Sequence, residues 1–260
     1  MSTPRVVALI PAAGSGTRMA GARPGNAAAM VRNKTLLPLA GEPLLRHTVR
    51  AVHQVACIAQ VRVIAQREDL AELDRIFADR QNWPRLGGWI VGGAERQDSV
   101  RLGLAALKED ADGPPDRVLV HDGARPLCSP GLILRILDAL ESEAAAVPVL
   151  PISDTVRSIA GRGRAGHGRS GGVMDRTGLR LTQTPQGFHW HLLWEAHQEA
   201  ALAGAVATDD GQLVERLGKP VAMVPGERRN LKVTFPEDLD LAEWMHRHPA
   251  WGTEPSGMSL

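Results

Sequence analysis

Hydrophobic residues along this chain fall into short continuous runs separated by longer amphipathic stretches. Val6-Val7-Ala8-Leu9-Ile10 lies between Pro4 and Pro11 and is apolar at every position, the pattern of a strand buried on both faces. Similar runs follow at Val61-Arg62-Val63-Ile64-Ala65, Trp89-Ile90-Val91, Arg117-Val118-Leu119-Val120 and Ala145-Ala146-Val147-Pro148-Val149-Leu150. Helix-like stretches separate them, from Pro43 to Val55, Leu70 to Ala78, Ser99 to Leu107 and Leu132 to Leu140. This alternation predicts an α/β fold with a mostly parallel sheet and helices on both faces.

The alternation breaks near Ile152. Ser153 to Arg157 leads into Gly161-Arg162-Gly163-Arg164-Ala165-Gly166-His167-Gly168-Arg169-Ser170-Gly171-Gly172, a stretch too rich in Gly and Arg to bury a core. A projecting, mobile arm over about residues 152–177 is expected. Beyond it the pattern predicts a strand near Leu179 to Thr182, then helices from about His189 to Leu202 and Asp210 to Leu217. Strands at Val221 to Val224 and Leu231 to Val233 follow, and Pro236 suits the first turn of a last helix. Residues 1–248 read as a single domain that includes the arm, and residues 249–260 as a disordered tail.

Composition narrows the function. With 30 basic and 29 acidic residues the formal net charge is +1, so no overall field favours nucleic acid or an acidic membrane, and an anionic ligand has to be held by local groups. Neither nucleic acid nor membrane is expected as a partner. Cys57 and Cys128 belong to no CxxC pair and sit among no spaced histidines, so both are expected to be reduced bystanders. Met1 to Pro11 is too short and too quickly followed by glycines to be read as a signal peptide, and no apolar run reaches about 18 residues, which makes the cytoplasm the expected location.

The segment Pro11-Ala12-Ala13-Gly14-Ser15-Gly16-Thr17-Arg18-Met19 follows the first strand directly. Small residues let backbone N–H groups approach a phosphate chain, and Arg18 adds a planar fork of donors. The same residues also describe a plain strand-to-helix turn. The segment lacks the GK[ST] of a P-loop and the clean GxGxxG of a dinucleotide fold. Lys34, in Asn33-Lys34-Thr35-Leu36-Leu37-Pro38-Leu39, follows an Ala/Gly/Pro-rich stretch that reads as a lid, and is placed either to reach back over a triphosphate or to be a solvated surface lysine.

Val120-His121-Asp122-Gly123-Ala124-Arg125-Pro126 puts charged residues at the carboxyl edge of a buried strand, where open α/β sheets bind ligands. Asp122 suits a magnesium ligand there, or a helix cap or turn, and Arg125 a substrate contact. Further along lie Asp175-Arg176, Thr182-Gln183-Thr184-Pro185-Gln186-Gly187-Phe188, Ala207-Thr208-Asp209-Asp210 and Asn230-Leu231-Lys232-Val233-Thr234. Taken singly, Thr208-Asp209 also reads as a helix cap, Arg176 as a solvated charge on the arm, and Lys232 as an edge lysine that discourages aggregation.

In order along the chain, PAAGSGTRM, the lysine of NKTLLPL, GGAERQDSV, VHDGARP, PISDT, the DR of VMDRTGL, QTPQGF, TDDGQLVE and NLKVTFPEDL resemble the 2-C-methyl-D-erythritol 4-phosphate cytidylyltransferases of non-mevalonate isoprenoid synthesis. The resemblance runs from about Val6 to Glu243 and implies a Rossmann-like nucleotidyltransferase fold. It implies that Ala12, Ala13, Gly14, Ser15, Gly16 and Thr17 wrap CTP, with Gly93 and Ser99 helping to hold the cytosine and ribose. Arg18 and Lys34 would stabilise charge at the attacked α-phosphorus, and Arg176 and Lys232 would position the sugar phosphate. Asp122, Arg125, Asp154, Thr155 and Thr184 match the polyol phosphate pocket, and Mg2+ is the expected cofactor. The arm of such enzymes embraces a second subunit, which implies a homodimer in which residues near Thr155 serve the partner's pocket.

This chain departs from the pattern at Ala94, where an acid can stand near the cytosine, and in longer stretches between Arg18 and Lys34 and across Gly161 to Gly172. A cytidylyltransferase for another polyol phosphate, such as ribitol 5-phosphate, and a catalytically silent dimeric nucleotide-binding module are the competing readings.

Overall fold

The computed structural model of the protein describes residues 3–14, 33–162 and 168–252. Strand β1 (Val6–Pro11) is followed by a small hairpin of β2 (Pro38–Leu39) and β3 (Glu42–Pro43), then α1 (Leu44–His53), β4 (Ile58–Ala65), α2 (Leu70–Ile76), β5 (Leu86–Val91) and α3 (Arg96–Lys108). Next come β6 (Arg117–Val120), α4 (Pro130–Ala139), β7 (Ala145–Pro151) and an arm of β8 (Arg157–Arg162) and β9 (Gly168–Val173). The chain returns through β10 (Arg180–Thr182), β11 (Gln186–His189), α5 (Trp190–Leu202), α6 (Asp210–Arg216), β12 (Ala222–Pro225) and α7 (Pro236–Arg247).

The central sheet has the order β10-β7-β11-β6-β1-β4-β5, with β12 beside β7. β6, β1, β4 and β5 run parallel, while β10 and β11 run antiparallel to their neighbours. The apolar run of β1 explains the layering. Val6, Ala8 and Ile10 face a core shared with α1, α2 and α4, whereas Val7 and Leu9 face one shared with α3, α5 and α6. Leu9 is fully buried, so truncating it to Ala would cost about 2–5 kcal/mol. α3 packs close because Gly103 has no side chain: a Cβ there would lie 2.7 Å from Ile64 Cδ1 and 3.0 Å from Leu9 Cδ1.

Local chemistry fixes the helix starts. Ser129 Oγ accepts the N–H of Leu132 at 3.0 Å to cap α4, with Pro130 in the first turn. Asp209 Oδ1 accepts the N–H of Gln212 at 2.9 Å to cap α6, so the helix-cap reading of this residue holds. Asp238 accepts the N–H of Phe235 at 2.8 Å at the start of α7.

Three expectations differ from the structure. The Gly/Arg-rich arm, expected as a projecting, mobile stretch that buries no core, carries a paired antiparallel hairpin, because ladder hydrogen bonds need backbone and not an apolar core. Leu231 to Val233 is an extended segment outside any sheet, its Val233 N–H donating to Ala124 O at 2.8 Å. Residues 249–252, expected within a tail, are tied back by Arg229, whose Nη1 donates to the carbonyls of His248 at 2.9 Å and Trp251 at 3.3 Å. Among the described residues no helix is long and apolar enough to cross a membrane. Cys57 is exposed, Cys128 is buried, and both are free.

Candidate active site

Strand order reverses beside β1: the chain runs outward to β4 and β5, then returns to β6 on the other side. Such a switch leaves a crevice at the carboxyl ends of the two central strands. A cavity of about 380 Å³ opens there, lined by Ala12, Ala13 and Gly14 after β1, Lys34 and Thr35, Gln66 after β4, Gly93 to Arg96 and Ser99 around the start of α3, Asp122 to Ala124 after β6, and Lys232 and Thr234.

Main-chain and side-chain groups of other segments hold the main chain of this cradle. Ala12 N–H donates to Ile64 O at 2.7 Å, Asn33 Nδ2 donates to Ala12 O at 2.6 Å, and Gln66 Nε2 donates to Ala13 O at 2.7 Å. Asn33 also accepts the N–H of Thr35 at 3.1 Å, which fastens the short helical turn carrying Lys34 to the end of β1. Lys34 Nζ donates to Val233 O at 2.7 Å. On the opposite wall Ser99 Oγ accepts the N–H of Gly93 at 3.1 Å and donates to Glu95 O at 3.0 Å. Gly92 permits this packing, since a Cβ there would come within 2.7 Å of Ala13 Cβ and 2.9 Å of Ser99 Oγ.

Asp122 is the centre of a charge cluster. Its Oδ1 accepts from Arg96 Nε at 3.2 Å; its Oδ2 lies 2.7 Å from Lys232 Nζ and 3.8 Å from Arg125 Nε. Burial alone would raise this carboxyl, but Arg96, Lys232 and Arg125 outweigh it and hold the group well below the usual carboxylate range. Arg96 continues to a second buried acid, its Nη2 2.8 Å from Asp210 Oδ2. Behind the wall Arg125 Nη1 donates to Asn230 O at 2.7 Å, which braces the segment carrying Lys232. Buried Thr184 accepts the N–H of Asp122 at 3.0 Å and lies 3.1 Å from His121 Nδ1.

Of the residues singled out in the sequence, Ala12, Ala13, Gly14, Lys34, Gly93, Ser99, Asp122 and Lys232 line one cavity, and Arg125 and Thr184 stand directly behind Asp122. Asp154, Thr155 and Arg176 do not line it. They are exposed on the arm side, where Arg176 donates to Ser153 O. Ser15, Gly16, Thr17, Arg18 and the lid stretch before Asn33 lie outside the described residues. Sequence reasoning assigned no role to Asn33, Arg96 or Asp210, although the latter two stand in GGAERQDSV and TDDGQLVE.

The expected role of Asp122 as a metal ligand meets a different environment. Both its oxygens already face cations, and among the described residues no group of three His, Cys, Asp or Glu side chains is placed to hold an ion. This donor set does not fit a divalent metal held by the protein alone.

The sequence model of the 2-C-methyl-D-erythritol 4-phosphate cytidylyltransferases matches residues 6–248. The chain belongs to this family. It is 41% identical over 235 residues to the 2-C-methyl-D-erythritol 4-phosphate cytidylyltransferase of Prochlorococcus marinus, covering 90% of this chain and 95% of that protein. It is 35% identical over 240 residues to that of Syntrophus aciditrophicus, covering 92% and 95%. The crystal structure of the Thermus thermophilus enzyme superposes with a TM-score of 0.71 at 38% identity, covering 94% of this chain and 99% of that one. The chain is thus a cytidylyltransferase with the nucleotidyltransferase fold of its family, as the resemblance implied.

Proposed function

We propose that this cavity transfers CMP from CTP to 2-C-methyl-D-erythritol 4-phosphate. A phosphate oxygen of the acceptor attacks the α-phosphorus in line, the bond from that phosphorus to the bridging oxygen of the β-phosphate breaks, and pyrophosphate leaves as 4-diphosphocytidyl-2-C-methyl-D-erythritol forms. The oxygen that attacks is already ionised at neutral pH, so the site needs positioning and charge stabilisation rather than a strong base. The observation that carries this reading is the meeting of a glycine-lined main-chain cradle with Lys34 and Lys232 in one cavity at the switch point.

In this reading the cradle from Ala12 through Thr17 wraps the triphosphate, and the wall at Gly93 and Ser99 takes the cytosine and ribose. Lys34 and Arg18 meet charge that grows at the α-phosphorus. Lys232, held by Asp122, meets the acceptor phosphate, with Arg125 and Thr184 fixing Asp122 from behind. Magnesium, used throughout this reaction class to neutralise phosphate charge, would rest mainly on the nucleotide's own oxygens, since Asp122 is already matched by cations. Asp154, Thr155 and Arg176 are assigned to the acceptor pocket of a partner subunit reached by the arm, which makes the working unit a homodimer. Residues 1–248 then act as one domain, and a cytoplasmic location suits its soluble substrates.

Pyrophosphate release measured against a panel of nucleoside triphosphates and polyol phosphates tests the proposal. CTP with 2-C-methyl-D-erythritol 4-phosphate is expected to give the highest kcat/KM. Preference for ribitol 5-phosphate would move the chain to another acceptor, and CTP binding without turnover would make it a silent module.

A further inference from the structure

Behind the cavity, ionisable side chains from several elements form one continuous chain of contacts. His197 of α5 and Asp210 at the start of α6 are fully buried, with the imidazole Nε2 3.0 Å from Asp210 Oδ1. Asp210 Oδ2 lies 2.8 Å from Arg96 Nη2, Arg96 Nε donates to Asp122 Oδ1 at 3.2 Å, and Asp122 Oδ2 holds Lys232 Nζ at 2.7 Å. Neither His197 nor Asp210 lines the cavity.

Their surroundings make the pair unexpected as packing. Leu192, Leu193, Ala196, Leu213 and Val214 form an apolar core around these helices, and a buried ion pair is no better for stability than well-packed apolar residues. What the pair does is divide Arg96. A long arginine side chain has many rotamers, and carboxylates at both Nε and Nη2 restrict that choice. Without Asp210 the whole guanidinium charge would fall on Asp122 and compete with Lys232 for its oxygens. With Asp210 in place, Arg96 takes one oxygen of Asp122 and leaves the other to the ammonium.

We propose that Asp210, supported by His197, is a positioning residue for the transfer reaction: by holding Arg96 it reserves one oxygen of Asp122 for Lys232 and fixes that ammonium at the cavity edge. This rests on the reading of the cavity as the transferase site. In Asp210→Asn, kcat is expected to fall about ten-fold while KM for CTP stays within about two-fold. In a Lys232→Ala background the same substitution should cost almost nothing further, because its effect runs through Lys232. A merely structural defect would instead multiply with the Lys232→Ala loss.

A second readout needs no turnover. Acetylation of Lys232 by acetic anhydride, followed by peptide mass spectrometry, should be at least about three-fold faster in Asp210→Asn than in the wild type, because the ammonium is held less often by Asp122. Equal acetylation rates, or unchanged kcat in an active enzyme, overturn the positioning role. A wild type that releases no pyrophosphate with any polyol phosphate sinks the transferase reading instead, and Lys232 acetylation still decides this one. Should Asp210→Asn fail to fold by circular dichroism, Arg96→Gln is read instead: with the competing guanidinium gone Asp122 holds Lys232 at least as often, so acetylation no faster than in the wild type is expected, and faster acetylation overturns the proposal.

Discussion

His121 adjoins the charged cluster, yet the structure gives it a part in holding the site rather than in proton transfer. Its Nε2 lies 3.1 Å from Arg125 O, an atom that only accepts, so Nε2 carries the proton. Nδ1 then accepts from the Thr184 hydroxyl at 3.1 Å, and the Thr184 oxygen accepts the N–H of Asp122 at 3.0 Å. Burial pushes the imidazole from 6.5 down to about 4. The unfolded chain takes up this proton near 6.5 and the folded one only near 4, so between those values the unfolded state binds more protons. The contribution is therefore complete above the unfolded value and is lost as pH falls toward the folded one. At about 1.4 kcal/mol per pH unit the gap amounts to about 3 kcal/mol.

Urea unfolding followed by circular dichroism from about pH 7.5 to about pH 4.5 measures this in the wild type and in His121→Gln, whose amide does not titrate. Asp122 and Asp210, both held low by neighbouring cations against the effect of burial, also lose stabilisation in acid, but they do so in both proteins. The wild type's advantage over the variant should shrink by about 2.5 kcal/mol over this range. Parallel curves would show that the folded chain takes up this proton as readily as the unfolded one and would refute the lowering by burial.

Gly92→Ala should cost about 1–3 kcal/mol in thermal unfolding and weaken CTP in calorimetric titration, because the new methyl meets Ala13 and Ser99 across the cradle. Chelation should abolish pyrophosphate release, and Asp122→Asn should lower kcat yet leave the magnesium concentration for half-maximal rate within about three-fold, since in the proposed reading the ion would rest on the nucleotide; a much larger rise would return the ligand role to Asp122. Arg176→Lys should leave the Kd for CTP nearly constant and lower kcat/KM for the polyol phosphate at least about ten-fold, because it keeps the charge and loses the fork of donors.

The framework was legible because burial on both faces leaves an unambiguous mark. Five apolar residues in a row from Val6 to Ile10 could serve only two packed layers, and both layers are present. Where burial and strand pairing part company the pattern misled. Val233 is fully buried, so its segment looked like a strand, but its hydrogen bond goes to the Ala124 loop. The arm erred the other way: Ile159 is 80% exposed in a paired strand, so no apolar alternation announced it. In the site, Lys34 and Lys232 were found because each stands in a recognisable segment. Arg96 and Asp210 were not, because their meaning lies in each other and they are brought together only by the packing of α3 against α5 and α6.

The acids of the site pose a physical question that the near-neutral chain sharpens. With a net charge of only +1, the proposed attraction for a triphosphate would come from local cations, Lys34, Lys232, Arg96 and Arg125 among them, yet Asp122 and Asp210 stand among these and subtract from it. Removing both acids would raise the local positive charge, but it would also leave half-buried Arg96 and buried Arg125 without carboxylates, and a buried unpaired charge is among the most destabilising features a fold can carry. The arrangement separates the two demands. Arg125 is the buried cation behind the wall and Arg96, at the cavity, is matched by both acids, while Lys34 and Lys232 also stand at the cavity and are steadied there by Val233 O and Asp122. In the proposed reading, phosphate oxygens entering the cavity would meet ammonium groups already oriented, so the reorganisation that water would undergo around the same charges is completed when the protein folds.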